Sequence, residues 1–484
     1  MISRIIIISL FCLVIIAIGI IGMRKTKSFN DYFLGGGKIG AWMTAFTYGT
    51  AYFSAVLFIG FAGQVGWNFG YSGLWIALFN SLIGVLGVWW IMGHRIKRMS
   101  IDYKVSTLPE FFEKRYNSKG LKLYSSIAIF VLFIPYSAAV FIGLSYLFKV
   151  TFNIDYTVAL LFMGGFTGLY LVLGGYNSMT MMDVIFGAIM ILGCIVLASA
   201  TLNAAGGFNE LTTKLTEIDP KLVSQVGPAG FWNLFYLVFL TSVAPFAMPQ
   251  LIQKFYAVRD KKAIRTGMIA STMFSLLIAS VAYFVGSTSR VFLTPENAPA
   301  AFSNGKPVFD SLMPELLNKV IPEYLFVIML LLILSASMST LAAIILISSS
   351  SVVKDFYAGF VNKNASDRSL TNLMRLFALI FIIISVVLAY FKPSSIVIIL
   401  GISWGAIGAA FLGPFFWGLM WKRTSLTGAF LSSVIGLCTC LVLYFTGSSS
   451  PQAGTIGMLL SFILCPLISL FAPAKEMLPA ESRA

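Results

Sequence analysis

Charge is scarce in this chain. Of 484 residues only 11% are Asp, Glu, Lys or Arg, while 58% are hydrophobic and 15% aromatic. That balance, with a mean hydropathy of +0.90, excludes an ordinary soluble domain and points to a single integral membrane domain. Histidine occurs once, as His94 at the edge of a basic run, with no second His or Cys nearby to complete a metal centre. The five cysteines, Cys12, Cys194, Cys438, Cys440 and Cys465, lie in apolar runs with the spacing of neither a disulfide framework nor a metal site. They are expected as small buried hydrophobes. Carboxylates are nearly missing from the same runs, and no Lys or Arg is expected deep in any of them. One acid, Asp183, is left inside, whereas an intramembrane enzyme would need a catalytic pair.

What is present is length. Thirteen mostly apolar stretches, 4–23, 40–64, 73–93, 123–148, 157–175, 179–200, 229–252, 266–289, 322–350, 371–390, 395–421, 425–446 and 452–472, are each long enough to cross a hydrocarbon core of about 30 Å. The first has only Arg4 before it and no small-residue cleavage site before Arg24, so it is expected as a retained span. Basic residues set the orientation. With the N-terminus outside, the cytoplasmic loops gather Arg24 to Lys38, then Arg95 to Lys122, then Lys254 to Arg265, and only 8 of the 33 Lys and Arg fall outside. The net charge of +15 is therefore a positive-inside bias in short loops, not a nucleic-acid-binding face.

A carboxylate at the depth of Asp183 costs about 2.5–3.5 kcal/mol on insertion scales, so it is a functional residue by default. Two spans carry clustered hydroxyls. The second contains Thr47-Tyr48-Gly49-Thr50-Ala51-Tyr52-Phe53-Ser54, and the ninth contains Ser335-Ala336-Ser337-Met338-Ser339-Thr340. In the seventh, Pro245 and Pro249 each remove a helix hydrogen bond and open the backbone. Gly49, Pro245 and Pro249 are thus the expected hinges. Five spans separate the two interrupted ones, an odd number, which gives the two units opposite senses across the membrane. On the ninth span Ala336, Ser339 and Thr340 are spaced i, i+3, i+4 and share a face. Their oxygens, with the carbonyls of Thr50 and Phe53, suit a monovalent hard cation; a divalent one would recruit several carboxylates. The alternative is that small polar residues merely let helices approach closely, and for Ser335 and Ser337 that is the reading adopted.

Along nearly its whole length the chain resembles the sodium:solute symporter family. The resemblance rests on Asp31-Tyr32-Phe33-Leu34-Gly35-Gly36, Leu108-Pro109-Glu110-Phe111-Phe112, Leu173-Gly174-Gly175-Tyr176, Met338-Ser339-Thr340 and Lys354-Asp355-Phe356-Tyr357, in that order. It implies an all-α membrane protein of thirteen helices with a LeuT-like five-plus-five inverted repeat. The parts would be an extra N-terminal helix over 4–23, repeats over 40–200 and 229–421, C-terminal helices over 425–472 and a cytoplasmic tail over 473–484. It implies alternating access, a cell-membrane location, a small-molecule substrate and no obligate protein partner. Sodium would be the coupling ion, with no organic cofactor, bound by Thr50 and Phe53 through carbonyls and by Ala336, Ser339 and Thr340. Asp183 would lie on the inward ion path. A second sodium site in some members uses serines where this chain has Ala342 and Ala343, so one sodium per cycle is expected.

The solute is read less directly. Ser54, Asn80, Tyr136, Thr241 and Phe246 are the candidate pocket residues, with core packing as the alternative for each. The chain resembles the proline transporters at Tyr136 and Pro249, but has Thr241 and Pro245 where they carry Trp and Tyr. It lacks the Arg that sialic acid transporters place near Tyr136, which argues against a cationic clamp, and Ile218 to Val223 looks like the pantothenate transporters. An amino acid such as proline or a monocarboxylate such as pantothenate fits best. Proton coupling through Asp183, a channel and a membrane-embedded sensor are the alternatives.

Overall fold

The computed structural model describes residues 2–26, 28–37 and 40–473. Lys27 and Lys38 of the expected first cytoplasmic loop, and residues 474–484 of the expected tail, lie outside the described residues. Among the described residues the protein is helical, apart from a hairpin that pairs Phe302–Ser303 with Lys306–Pro307. Ten helices are long and apolar enough to cross a membrane, or eleven if the bent pair Phe231–Ala247 and Pro249–Ala257 is one span. The thirteen stretches divide differently here for two local reasons. Val56–Asp102 is one helical run, shared by the stretches 40–64 and 73–93 and interrupted at Gly70 with φ 57, ψ −135. The stretch 157–175 gives the shorter apolar helix Tyr156–Leu169, which meets the next at Gly175, φ 61, ψ −160. A Cβ at Gly175 would stand 2.6 Å from the Tyr32 ring, and that φ is open at little cost only to glycine.

Burial sorts the helices into a centre and a rim. The apolar windows of Phe326–Val361 and Ile396–Met420 are 94% and 89% buried, against 28% for Ile6–Lys25 and 33% for Leu426–Phe445. The rim turns large apolar side chains such as Leu13, Ile383 and Val442 outward, as a hydrocarbon environment requires. Cys438 is exposed on this rim, contrary to its expected burial, because a helix contacting lipid has no need to hide a thiol.

Near the centre, glycines let backbones touch. A Cβ at Gly66 would stand 2.0 Å from the Gly286 carbonyl carbon, so Ala62–Phe69 crosses Lys261–Ser287 with no side chain between them.

Helix ends capture charges that the sequence alone leaves in loops. Arg115 is buried, and its guanidinium donates to the carbonyls of Gly418 at 2.8 Å and of Trp421 and Lys422 at 3.1 Å. It thereby covers the C-terminal carbonyls of Ile396–Met420, which no helix can satisfy internally. At the other end of that helix the N-cap Ser395 side chain turns to Gln64 Oε1 at 3.3 Å and does not cap the helix. Asp310, from the helix Phe309–Val320, caps it instead, its two carboxylate oxygens each 3.2 Å from the Ile396 amide nitrogen.

Burial pushes the Asp310 carboxyl up to about 7, against the opposing pull of the Ile396 N–H. The folded protein therefore holds a proton there that the unfolded chain releases at the ordinary carboxylate value of about 3.9. This contribution to stability is complete below that value and is lost as pH rises through about 7. Melting curves recorded between about pH 4 and pH 8 should show a steeper decline for the native protein than for Asp310→Asn, whose amide does not titrate.

Candidate functional site

The first break decides the geometry of the centre. Helix Ala41–Tyr52 stops because Phe53 is extended, at φ −111, ψ 142. A continuous helix would join the Ala55 N–H to the Ala51 carbonyl; here the helix Phe326–Ser350 takes both. The Ala55 N–H donates to Ser337 Oγ at 2.8 Å. Thr340 Oγ1 lies 3.2 Å from the Ala51 carbonyl oxygen, 2.9 Å from that of Phe53 and 3.1 Å from that of Ala336. A hydroxyl carries one hydrogen, so four oxygens converge with a single proton among them. The surplus of neutral acceptors is what a small hard cation satisfies.

On the preceding residue, Ser339 Oγ donates to Asp183 Oδ1 at 2.6 Å and lies 2.9 Å from Thr50 Oγ1. Asp183 is fully buried, and its Oδ2 has no hydrogen-bond partner among the described residues. Gly187, one turn on, admits the neighbouring helix, since a Cβ there would meet the Phe46 ring at 2.2 Å and the Thr50 methyl at 3.3 Å. Among the described residues no three of His, Cys, Asp and Glu come together. The site thus offers one carboxylate beside neutral oxygens, a donor set that fits a monovalent ion better than a divalent one.

The second break follows from Pro245. Its missing N–H is the one that would bond the Thr241 carbonyl. That carbonyl is left free and accepts from Tyr52 OH and from Asn80 Nδ2, both at 3.0 Å, while Asn80 Nδ2 also donates to Tyr52 OH at 2.8 Å. Met248, at φ −75, ψ 112, then separates the two halves, which bend by 43°. So the two breaks are tied together through one carbonyl.

Against this junction lies a narrow cavity of about 40 Å³, lined by Tyr52, Phe53, Ser54, Asn80, Tyr136, Thr241, Tyr283, Leu400 and Trp404 among others. No lining side chain is charged. Asn80 Oδ1 and Trp404 Nε1 are buried there without partners among the described residues, one an acceptor and one a donor.

The structure brings Ser54, Asn80, Tyr136 and Thr241 to this cavity. Phe246 stands apart, packed on Phe416 with ring centroids 6.2 Å apart. Gly49 does not bend the chain: the helix runs through it to Tyr52, and its bare Cα admits the Phe274 ring, which a Cβ would meet at 2.7 Å. Thr50 reaches Ser339 through its hydroxyl, and it is the Ala51 carbonyl that joins that of Phe53 around Thr340. Ser337 is no mere spacer, because it holds the amide released by the break. Nor is Lys254 a loop residue; the second half-helix continues to Ala257, and Lys254, in its last turn, is buried. Tyr52, Tyr283 and Trp404 were not singled out from sequence, where each is one aromatic among many in apolar runs.

Three hydroxyls of one helix can be separated by titrating sodium against thermal stability. Thr340→Ala should raise the half-stabilising sodium concentration about 5- to 150-fold, the equivalent of about 1–3 kcal/mol for an under-coordinated polar site. Ser337→Ala should lower stability at every sodium concentration, since it orphans the Ala55 amide. Ser335→Ala, whose hydroxyl is buried without a partner, should leave the sodium midpoint in place.

A sequence model of the sodium:solute symporter family matches residues 32–436. Similar proteins include the sodium/proline symporter of Escherichia coli (strain K12), 29% identical over 443 residues that cover 89% of this chain and 86% of that protein. The sodium/pantothenate symporter of Haemophilus influenzae is 28% identical, with 87% and 86% covered. The osmoregulated proline transporter OpuE of Bacillus subtilis (strain 168) is 27% identical, with 99% and 96% covered. Among solved structures, a substrate-bound, outward-open Na+-coupled sialic acid symporter superimposes with a TM-score of 0.82 at 17% identity, covering 98% of this chain and 99% of the other. Mhp1, a nucleobase-cation-symport-1 family transporter, follows at 0.57 and 12% identity; at such identities these two likenesses speak for the fold. The match over residues 32–436 reaches from the glycine-rich turn before the first break into the helix Leu426–Phe445, and the chain belongs to the sodium:solute symporter family.

Proposed function

We propose that this protein imports a small organic solute together with one sodium ion per cycle, by alternating access. The observation that carries the reading is the crowding of the Ala51, Phe53 and Ala336 carbonyls around Thr340, beside an uncharged cavity that shares Phe53. Thr340, Ser339, Ala336, Phe53 and Thr50 would hold sodium, and Asp183 would stand on its way inward. The fully developed fold would have thirteen spans, the eleven above with Tyr156–Leu169 added and Val56–Asp102 counted twice. At 1.5 Å per residue that run is far longer than one hydrocarbon core of about 30 Å. The N-terminus would be outside and the C-terminus in the cytoplasm of a cell bearing the protein in its plasma membrane, following the basic loops.

The uncharged lining favours a small zwitterion or monocarboxylate. Its carboxylate would be met by the Trp404 indole N–H and by bound sodium, and a donor on the solute by Asn80 Oδ1. The relatives' named substrates, proline and pantothenate, support the class of solute.

Reconstituted into vesicles, the protein should accumulate solute only with sodium outside, and the uptake should increase with an inside-negative potential. One net charge moved is worth about 2.3 kcal/mol per 100 mV, roughly fifty-fold accumulation of a neutral solute at about 1.4 kcal/mol per decade. Uptake that ignored sodium and followed a pH gradient would favour the proton-coupled reading, and flux that never exceeded equilibrium would mean a channel. Asp183→Asn should leave a folded, inserted protein with impaired uptake at limiting sodium; normal uptake there would assign Asp183 to structure alone.

A further inference from the structure

Lys254 is a fully buried cation that neither sodium binding nor the solute cavity uses. It lies on Pro249–Ala257, the half-helix released by the second break, with 1% of its surface exposed. Its Nζ is 3.7 Å from Met179 Sδ and 5.1 Å from the centroid of the Tyr176 ring. Met179 precedes Asp183 by four residues, so the ammonium sits on the same helix face about one turn, or about 6 Å of axial rise, from that carboxylate. A buried ammonium without an opposite charge is very costly, and the Asp183 carboxylate acts on it electrostatically. Yet Asp183 is turned through Oδ1 to Ser339, leaving Oδ2 without a hydrogen bond among the described residues. Gln250, one turn before Lys254 on the same face, adds a buried carbonyl oxygen that also has no partner there.

We propose that Lys254 is the residue that expels sodium from the site, its ammonium competing with the ion for the Asp183 carboxylate. This rests on the sodium-coupled reading above. While sodium is bound, two cations share one carboxylate and repel each other through a poorly screened interior. When sodium leaves, Asp183 keeps Lys254 as its counter-charge, so the empty carrier can return without picking up a proton. Lys254 is thus a positioning charge that acts through Asp183 and need not touch the ion.

Sodium titrations of thermal stability on the purified full chain test this without any need for transport. Lys254→Met should lower the half-stabilising sodium concentration by at least about threefold, and Lys254→Arg should restore it towards the native value. In vesicles, Lys254→Met should slow net uptake while sparing solute exchange with sodium on both sides, because exchange does not require the empty carrier to return. In an Asp183→Asn background the Lys254→Met change should have no further effect on the sodium midpoint. A Lys254→Met protein that is less stable at all sodium concentrations with an unmoved midpoint, or an effect that persists without Asp183, overturns the proposal. So does failure of Lys254→Met to fold combined with an Asp183→Asn/Lys254→Met protein that folds and departs from the Asp183→Asn midpoint. A native protein with no sodium-dependent stabilisation at all would overturn the coupling itself, a result seen before any variant is made.

Discussion

The structure depends on one unmade hydrogen bond. Ala55 cannot reach the Ala51 carbonyl because Phe53 between them is extended, and in a hydrocarbon environment each orphaned backbone group must find a partner inside the protein. Ser337 takes the amide and Thr340 the carbonyl, both from one helix whose apolar window is 94% buried. The same repair draws the Phe53 and Ala336 carbonyls into the group. A defect in one helix, patched by a neighbour, thus becomes a cluster of oxygens with too few protons, and the proposed cation site would be a consequence of the patch.

The second break uses a different device. Proline removes the donor outright, and the Thr241 carbonyl that loses it is held by Tyr52 and Asn80, which lie far earlier in the chain. Ion oxygens and solute cavity are then connected through a few backbone atoms, since Tyr52 and Phe53 are neighbours at the first break and both line the cavity. Movement of either broken helix would disturb both, which is the coupling that symport requires.

At the basic end, motifs far apart in sequence meet. Lys354 pairs with Glu110 at 2.9 Å, the Thr107 hydroxyl donates to Asp355 at 2.6 Å, and Lys354 also lies over the Phe33 ring at 5.1 Å. Gln253 adds a bond from its amide to the Phe33 carbonyl at 3.2 Å. The turn before the first break, the helix after Thr107 and the end of the hydroxyl helix are thereby fastened to the half-helix that carries Lys254.

Composition, run length and the pattern of basic residues determined the class of this protein, because a lipid solvent imposes its demands on every residue of a span independently. The lone acid Asp183, the paired prolines and the i, i+3, i+4 spacing of Ala336, Ser339 and Thr340 were legible for the same reason: each is a local departure from what lipid tolerates. The tertiary structure decided what those departures are for. Nothing in the sequence distinguishes Ser337, which repairs a broken helix, from Ser335, whose hydroxyl has no partner. Gly49 serves close packing, admitting a ring from another helix, and the break falls at Phe53 instead. Lys254 looks like one more loop lysine until the half-helix after Pro249 carries it inside. Hydrogen-bond partners and burial are set by neighbours hundreds of residues away, and a chain read in order does not display its neighbours.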